Sequence, residues 1–258
     1  MKNIYKKIRI SKVLLLIILI SFISGLFKDI LCYLSIIFFH ELGHIITSKI
    51  YDWKIHKINF CLYGAYIDYD EIIDKSFKEE FIIAISGVVF QSIYFLIIWF
   101  LFNYNIIGVR LFLILKKYYL SILLFNLIPI IPLDGSKLIN VFLNLFLSYY
   151  DAIKHLFYIS LLSIICVCFL FFKRVIKLEY SYIIVFSFLI SYVREYYKNI
   201  HYLFNKFLYE RYFYPVKFNK YLVIKNNNIK KMKRRRKHYF KINSHYYDER
   251  TILAKRFD

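Results

Sequence analysis

Glycine and proline are scarce, with six and three in 258 residues. In a chain this sparing, each one marks a place where the backbone needs it. The four cysteines are Cys32, Cys61, Cys166 and Cys168, and none forms a CxxC pair. That excludes a disulfide framework and a zinc-finger spacing. Three of the four lie in apolar runs, where cysteine behaves as a small hydrophobe. No internal repeat is visible. Also missing is any long polar stretch that could fold as a soluble catalytic domain, which excludes a membrane-tethered enzyme acting on soluble chains. Acidic residues are few, 17 against 37 basic ones, for a net charge of +20.

What is present is apolar. Hydrophobic residues make up 60% of the chain and aromatics 21%. Globular domains run nearer 45–50% apolar, so an integral membrane protein is the default class. A spanning helix needs about 20 mostly apolar residues. Six runs qualify as candidates: 13–27, 30–50, 81–102, 118–133, 156–172 and 180–193. Residues 105–115 read as an interfacial lead-in to the fourth. The first run has the flanks of a signal peptide, but no small-x-small cleavage site follows it, and it reads as an anchor. Between the second and third runs, residues 57–70 are rich in Ile, Phe and Tyr around Gly64 and predict one or two short strands with a turn. Asp68, Asp70, Glu71 and Asp74 after them read as a solvated face.

The charge is uneven. Residues 197–258 carry 17 Lys+Arg against 4 Asp+Glu. This divides the chain into a membrane core, 1–196, and a basic tail, 197–258. A basic start, a basic tail and an even span count place both termini in the cytoplasm. The cluster from Lys230 to Lys237 reads first as a site for anionic lipids. It lacks a nucleic-acid reading motif, so nucleic acid is the weaker partner. A protein substrate or membrane regulator is a third option.

Two motifs carry chemistry. His40-Glu41-Leu42-Gly43-His44 is H-E-x-x-H. On a helix, positions i and i+4 share a face, so both imidazoles can reach one zinc while Glu41 reaches water beside it. A catalytic zinc takes three protein ligands and leaves the fourth place to water, whose pKa it lowers toward 7. The motif sits inside an apolar run, and ionisable residues at membrane depth are costly and mark function. His56, His155, His201, His238 and His245 show no metal-ligand pattern.

The second motif is Asn126-Leu127-Ile128-Pro129-Ile130-Ile131-Pro132-Leu133-Asp134-Gly135, with two of the three prolines. Broken backbone at membrane depth is tolerated when it is buried or lines a wet cavity. Taken alone, Asp134 could equally be an ordinary helix cap.

Together the motifs resemble the site-2 protease family of intramembrane metalloproteases, whose second motif N-x-x-P-x-x-x-L-D-G is matched at every fixed position. The resemblance implies an all-α membrane protein of about six transmembrane helices, with a small membrane-associated β-hairpin and a basic C-terminal tail. It implies one Zn2+ per chain held by His40, His44 and Asp134, with Glu41 as the catalytic base. The layout resembles the stage IV sporulation protease subfamily. That likeness implies cleavage of a membrane-associated precursor, such as a sporulation transcription factor precursor. Asn126 is a candidate for the oxyanion or substrate backbone, and Gly64 for strand pairing with substrate. Gln91, in a diverged version of the family's third-span element beginning at Gly87, either contacts substrate or makes a helix–helix hydrogen bond. The rival class is a catalytically silent metal-binding or substrate-binding membrane protein. The intact Glu41 counts against it.

Overall fold

The computed structural model describes residues 8–10, 12–25, 27–61, 64–69, 74–173, 180–214, 218 and 220–257. They form two compact units, Met1–Glu71 with Phe81–Leu127, and Ile72–Glu80 with Ile128–Asp258. The expected Asp70 and Glu71 lie outside the described residues, as does Tyr63.

In the first unit, strand β1 (Ile8–Ile10) leads to helices α1 (Lys12–Ile23) and α2 (Phe27–Ile50). The break between them falls at Ser24 and Gly25, and Gly25 sits at φ 75°, where a side chain would be strained. Strands β2 (Ile55–Cys61) and β3 (Gly64–Tyr69) form the expected hairpin. The sheet order is β1-β2-β3, with β1 parallel to β2 and β3 antiparallel to it, so β3 is an edge strand among the described residues. Helices α3 (Phe77–Asn103) and α4 (Val109–Leu127) follow. Cys32, Ile36 and Ile37 of α2, Ile98 of α3 and Leu115 and Ile122 of α4 form one core. The other faces are greasy and uncovered. Leu31, Phe38, Ile46, Ile93, Leu96 and Phe100 are all exposed. Apolar outside and polar inside is the arrangement lipid selects, because only there does an exposed Leu or Phe cost nothing.

The second unit contains α5 (Asp134–Phe146), α6 (Tyr149–Phe172), α7 (Tyr180–Phe213), strands β4 (Tyr221–Lys225), β5 (Lys237–Ile242) and β6 (His245–Asp248), and α8 (Glu249–Phe257). Ser148 caps α6, its Oγ accepting from Asp151 N–H at 3.2 Å. The three strands form a second sheet ordered β4-β5-β6. Tyr149, Phe204, Phe207, Leu208, Met232, Phe240 and Leu253 pack into the core of this unit.

Two expectations change, the interruption of the fourth run and the solvated acidic face. The fourth apolar run is helical from Val109 to Leu127, so Lys116 and Lys117 lie inside it and both prolines lie beyond its end. Proline has no N–H to donate, and the helix stops before it. Among the described residues, three helices, α2, α3 and α6, are long and apolar enough to cross a membrane by length and composition. At 12 residues, α1 rises only about 18 Å, short of a ~30 Å hydrocarbon core. The basic tail contains folded structure, and its Lys230–Lys237 cluster is not uniformly solvated. Met232 is fully buried and Arg234 is 4% exposed. Asp74, expected on a solvated face, is also buried, because Arg211 pairs with it at 2.7 Å.

Candidate metal centre and active site

Helix α2 buries Cys32, Ile36, His40, His44 and Ser48, a stripe of every fourth residue, together with Ile37, Glu41 and Gly43. The H-E-x-x-H motif therefore continues the apolar stripe that packs α2 against its neighbours. His40, Glu41 and His44 are 3%, 7% and 4% exposed.

Both imidazoles are oriented by the nitrogen that faces away from the other ring. His40 Nδ1 lies 3.0 Å from Gln91 Oε1, and Gln91 Nε2 donates to Tyr119 O at 2.9 Å. With the amide's NH2 spent on that carbonyl, its oxygen faces His40, so Nδ1 carries the hydrogen. His44 Nδ1 lies 2.7 Å from Ile83 O, a pure acceptor, so it too is the N–H. The two Nε2 atoms face each other 3.3 Å apart. Backbone or amide acceptors on the far nitrogens are the usual support of a metal-binding imidazole.

Close approach of α2 and α3 depends on two glycines. A Cβ on Gly43 would stand 2.4 Å from Ser86 O. A Cβ on Gly87 would stand 2.4 Å from His44 Nε2 and 2.7 Å from His40 Nε2. Residue 87 is thus glycine because the imidazole edges occupy the space of a side chain. Thr47 Oγ1 ties the helices further, within hydrogen-bond distance of Ser86 Oγ at 2.9 Å.

Asp134 is the first residue of α5 and is 5% exposed. The broken backbone before it is buried and bonded. Ile130 is fully buried, Ile131 N–H donates to Ser160 Oγ at 3.3 Å, and Leu133 N–H donates to Ile130 O at 2.7 Å. One Asp134 carboxylate oxygen accepts from Lys137 Nζ at 2.7 Å. His40, His44 and Asp134 offer two imidazoles and a carboxylate, a donor set suited to zinc.

Of the other sequence candidates, Gln91 is fully buried and hydrogen-bonded to His40 and to Tyr119 O. Asn126 is half-buried in the last turn of α4. Gly64 opens β3, paired with Cys61. Reasoning from sequence did not find the support that Ile83 gives His44 through its carbonyl, and a backbone group leaves no signal in a sequence.

Comparison with known proteins fits this geometry. Residues 29–119 match the model of peptidase family M50. The chain is 31% identical over 210 residues to the stage IV sporulation protein FB of Bacillus subtilis, covering 80% of this chain and 72% of that protein. It is 34% identical over 129 residues to the zinc metalloprotease MJ0392 of Methanocaldococcus jannaschii, covering 48% of this chain and 37% of that one. In three dimensions it resembles the site-2 protease from Methanocaldococcus jannaschii with a TM-score of 0.54 at 23% identity, covering 73% of this chain and 90% of the other. The buried H-E-x-x-H pair lies inside the matched segment, and the similarity to the sporulation protein runs over most of both chains. The chain belongs to peptidase family M50, the site-2 proteases, and is a zinc metalloprotease of the membrane.

Proposed function

We propose that this enzyme hydrolyses a peptide bond within or beside a transmembrane segment of a membrane-associated precursor protein. In this reading His40, His44 and Asp134 hold one zinc ion. Bound there, the zinc supplies Lewis acidity toward water and the scissile carbonyl. Glu41 takes the proton from the attacking water and delivers it to the leaving amine. Its position next to His40 on the buried face of α2 supports this. Asn126 is assigned to the oxyanion or the substrate backbone. The observation that carries the reading is the buried H-E-x-x-H pair, its Nε2 atoms 3.3 Å apart and both Nδ1 atoms facing acceptors.

A helical substrate hides its peptide bonds in its own hydrogen bonds, so it must unwind locally to be cut. The open edge of β3 from Gly64 onward offers backbone groups that offset part of that cost. Six spans with both termini cytoplasmic put the active site toward the cytoplasm. Lipid contact at the basic residues and a membrane regulator complete the set of partners. The likeness to a stage IV sporulation protein supports a role in sporulation, with a transcription factor precursor as the substrate.

The test is co-expression with candidate membrane-tethered precursors, comparing the wild type with Glu41→Gln. Cleavage by the wild type alone, with zinc present in both, supports the reading. Equal cleavage by both sinks it.

A further inference from the structure

The second unit contains a buried charge network that the catalytic chemistry does not use. Arg211 of α7 has a side chain only 4% exposed, and it contacts two carboxylates. It forks onto Glu249, Nε and Nη2 donating to the two oxygens at 2.7 Å each, while Nη1 donates to Asp74 Oδ2 at 2.7 Å. The other Asp74 oxygen accepts from Arg235 N–H at 2.8 Å. His238, fully buried, accepts from Lys233 N–H at Nε2 and faces Glu249 Oε2 with Nδ1 at 3.0 Å. Arg234, its side chain 3% exposed, pairs with both oxygens of Glu80, donates to Lys75 O at 3.3 Å, and lies over the Phe77 ring at 5.1 Å.

Arg211, Arg234 and the Arg235 N–H converge on one short segment, Asp74 to Glu80. That segment is the lead-in and first turn of α3. On the same helix, three residues past Glu80, Ile83 O receives His44 Nδ1–H. Gly87 and Gln91 meet the imidazoles one and two turns further on. An α-helix is stiff over this length, about 16 Å from residue 80 to 91. Moving its first turn moves the groups that aim both histidines.

Energetics argue against a purely stabilising role. Taking several charges out of water costs as much as their attraction returns, and well-packed apolar residues would stabilise as well or better. What buried forked pairs add is a fixed geometry.

We propose that Arg211 and Arg234 are positioning residues of the protease. They clamp Asp74 and Glu80, fix the start of α3, and so hold the histidine pair in its metal-binding arrangement. This rests on the metalloprotease reading, but its test can be separated from it.

The experiment uses the full chain in detergent with Co2+ in place of zinc, because cobalt's visible spectrum reports ligand geometry without needing a substrate. Arg234→Gln and Glu80→Gln should each weaken Co2+ binding by roughly tenfold and alter the spectrum, as loss of supporting contacts does at other metal sites. Helix content should be unchanged. The charge-swapped double variant Arg234→Glu with Glu80→Arg should recover most of the affinity, a rescue that a general loss of stability would not show. Arg211→Lys, which keeps the charge and loses the fork, should behave like Arg234→Gln. Where a cleavable precursor is in hand, kcat should fall and KM should not. Wild-type Co2+ affinity and spectrum in both Arg234→Gln and Glu80→Gln would overturn the clamp. If Arg234→Gln does not fold, Glu80→Gln and the swap decide: recovery in the swap supports the clamp, and its absence beside a normal Glu80→Gln overturns it. A wild type that binds Co2+ but cuts nothing would count against the proposed substrate and leave the clamp standing.

Discussion

At His40 and His44 the deciding atoms are the ones that face away from each other. Gln91 and Ile83 O hold each Nδ1 and turn each Nε2 toward the other ring. Glu41 is not needed for that arrangement. Glu41→Gln should therefore keep full zinc by metal analysis and lose cleavage by roughly 10³-fold, within the range expected for a general base. Zinc lost along with activity would remove Glu41 from that role. Gly87→Ala makes the opposite prediction. Its Cβ would sit 2.4 Å from His44 Nε2, so zinc stoichiometry should collapse while circular dichroism keeps its helical signal. A Gly87→Ala protein with one tightly bound zinc would show that the helices can separate at no cost. Asp134→Ala should weaken zinc binding and activity together, because two imidazoles leave the metal one protein ligand short. Full zinc with normal cleavage would move the third ligand elsewhere.

The element scale shows what was legible in the sequence and what was not. The H-E-x-x-H spacing and the proline-interrupted Asp134 motif are local patterns, and each sits where its spacing implies: on one face of α2 and at the head of α5. The hairpin was legible too, from its Ile, Phe and Tyr on either side of Gly64. Long-range partners were not. Gln91 read as an odd polar residue in an apolar run until Tyr119 O, 28 residues on, and His40, 51 residues back, fixed both ends of its amide. Arg234 looks like every other residue of its basic cluster. Only Glu80, 154 residues earlier, distinguishes it from its solvated neighbours. The same blindness applies to α4, where a lysine pair suggested an interruption that the helix absorbs. The β3 edge is testable at this scale. Successive backbone N–H groups point to opposite sides of a strand. Of Ala65→Pro and Tyr66→Pro, one removes a donor from the β2 side and the other from the open edge. The open-edge variant should slow cleavage of a tethered precursor with zinc still bound. Turnover unchanged in both would rule out strand pairing as the way substrate is held.

For the whole molecule, two predictions concern its charges. Reporter fusions at Lys2 and Asp258 should both report the cytoplasm, and opposite sides would remove one span from the proposed six. The second prediction concerns acid. Burial alone would push the Glu249 carboxyl up. Hydrogen bonds from His238 and Arg211, with the Arg211 charge, outweigh burial and hold it below the ordinary glutamate range. A carboxylate whose folded pKa is depressed adds stability above its unfolded value, about 4.3, and loses it as pH falls through the folded value. Thermal unfolding followed from neutral pH downward should show the wild type losing stability below about pH 4.3. Glu249→Gln should be less stable at neutral pH and lose less over that acid range. Parallel acid profiles would mean that Glu249 does not titrate in the unfolding step.

The contacts of Arg211 also order events in time. Asp74 emerges from the ribosome long before its partner Arg211, which lies 137 residues later, and the Arg211 fork closes only when Glu249 arrives. At ordinary synthesis rates of about 5–20 residues per second, that interval lasts roughly 10–35 s. Throughout it, the histidine pair is already in the bilayer beside other newly inserted chains. Under the proposed clamp, the start of α3 stays ungripped until residues 211–249 have been made, so the histidine pair is set for metal only after that stretch of chain exists.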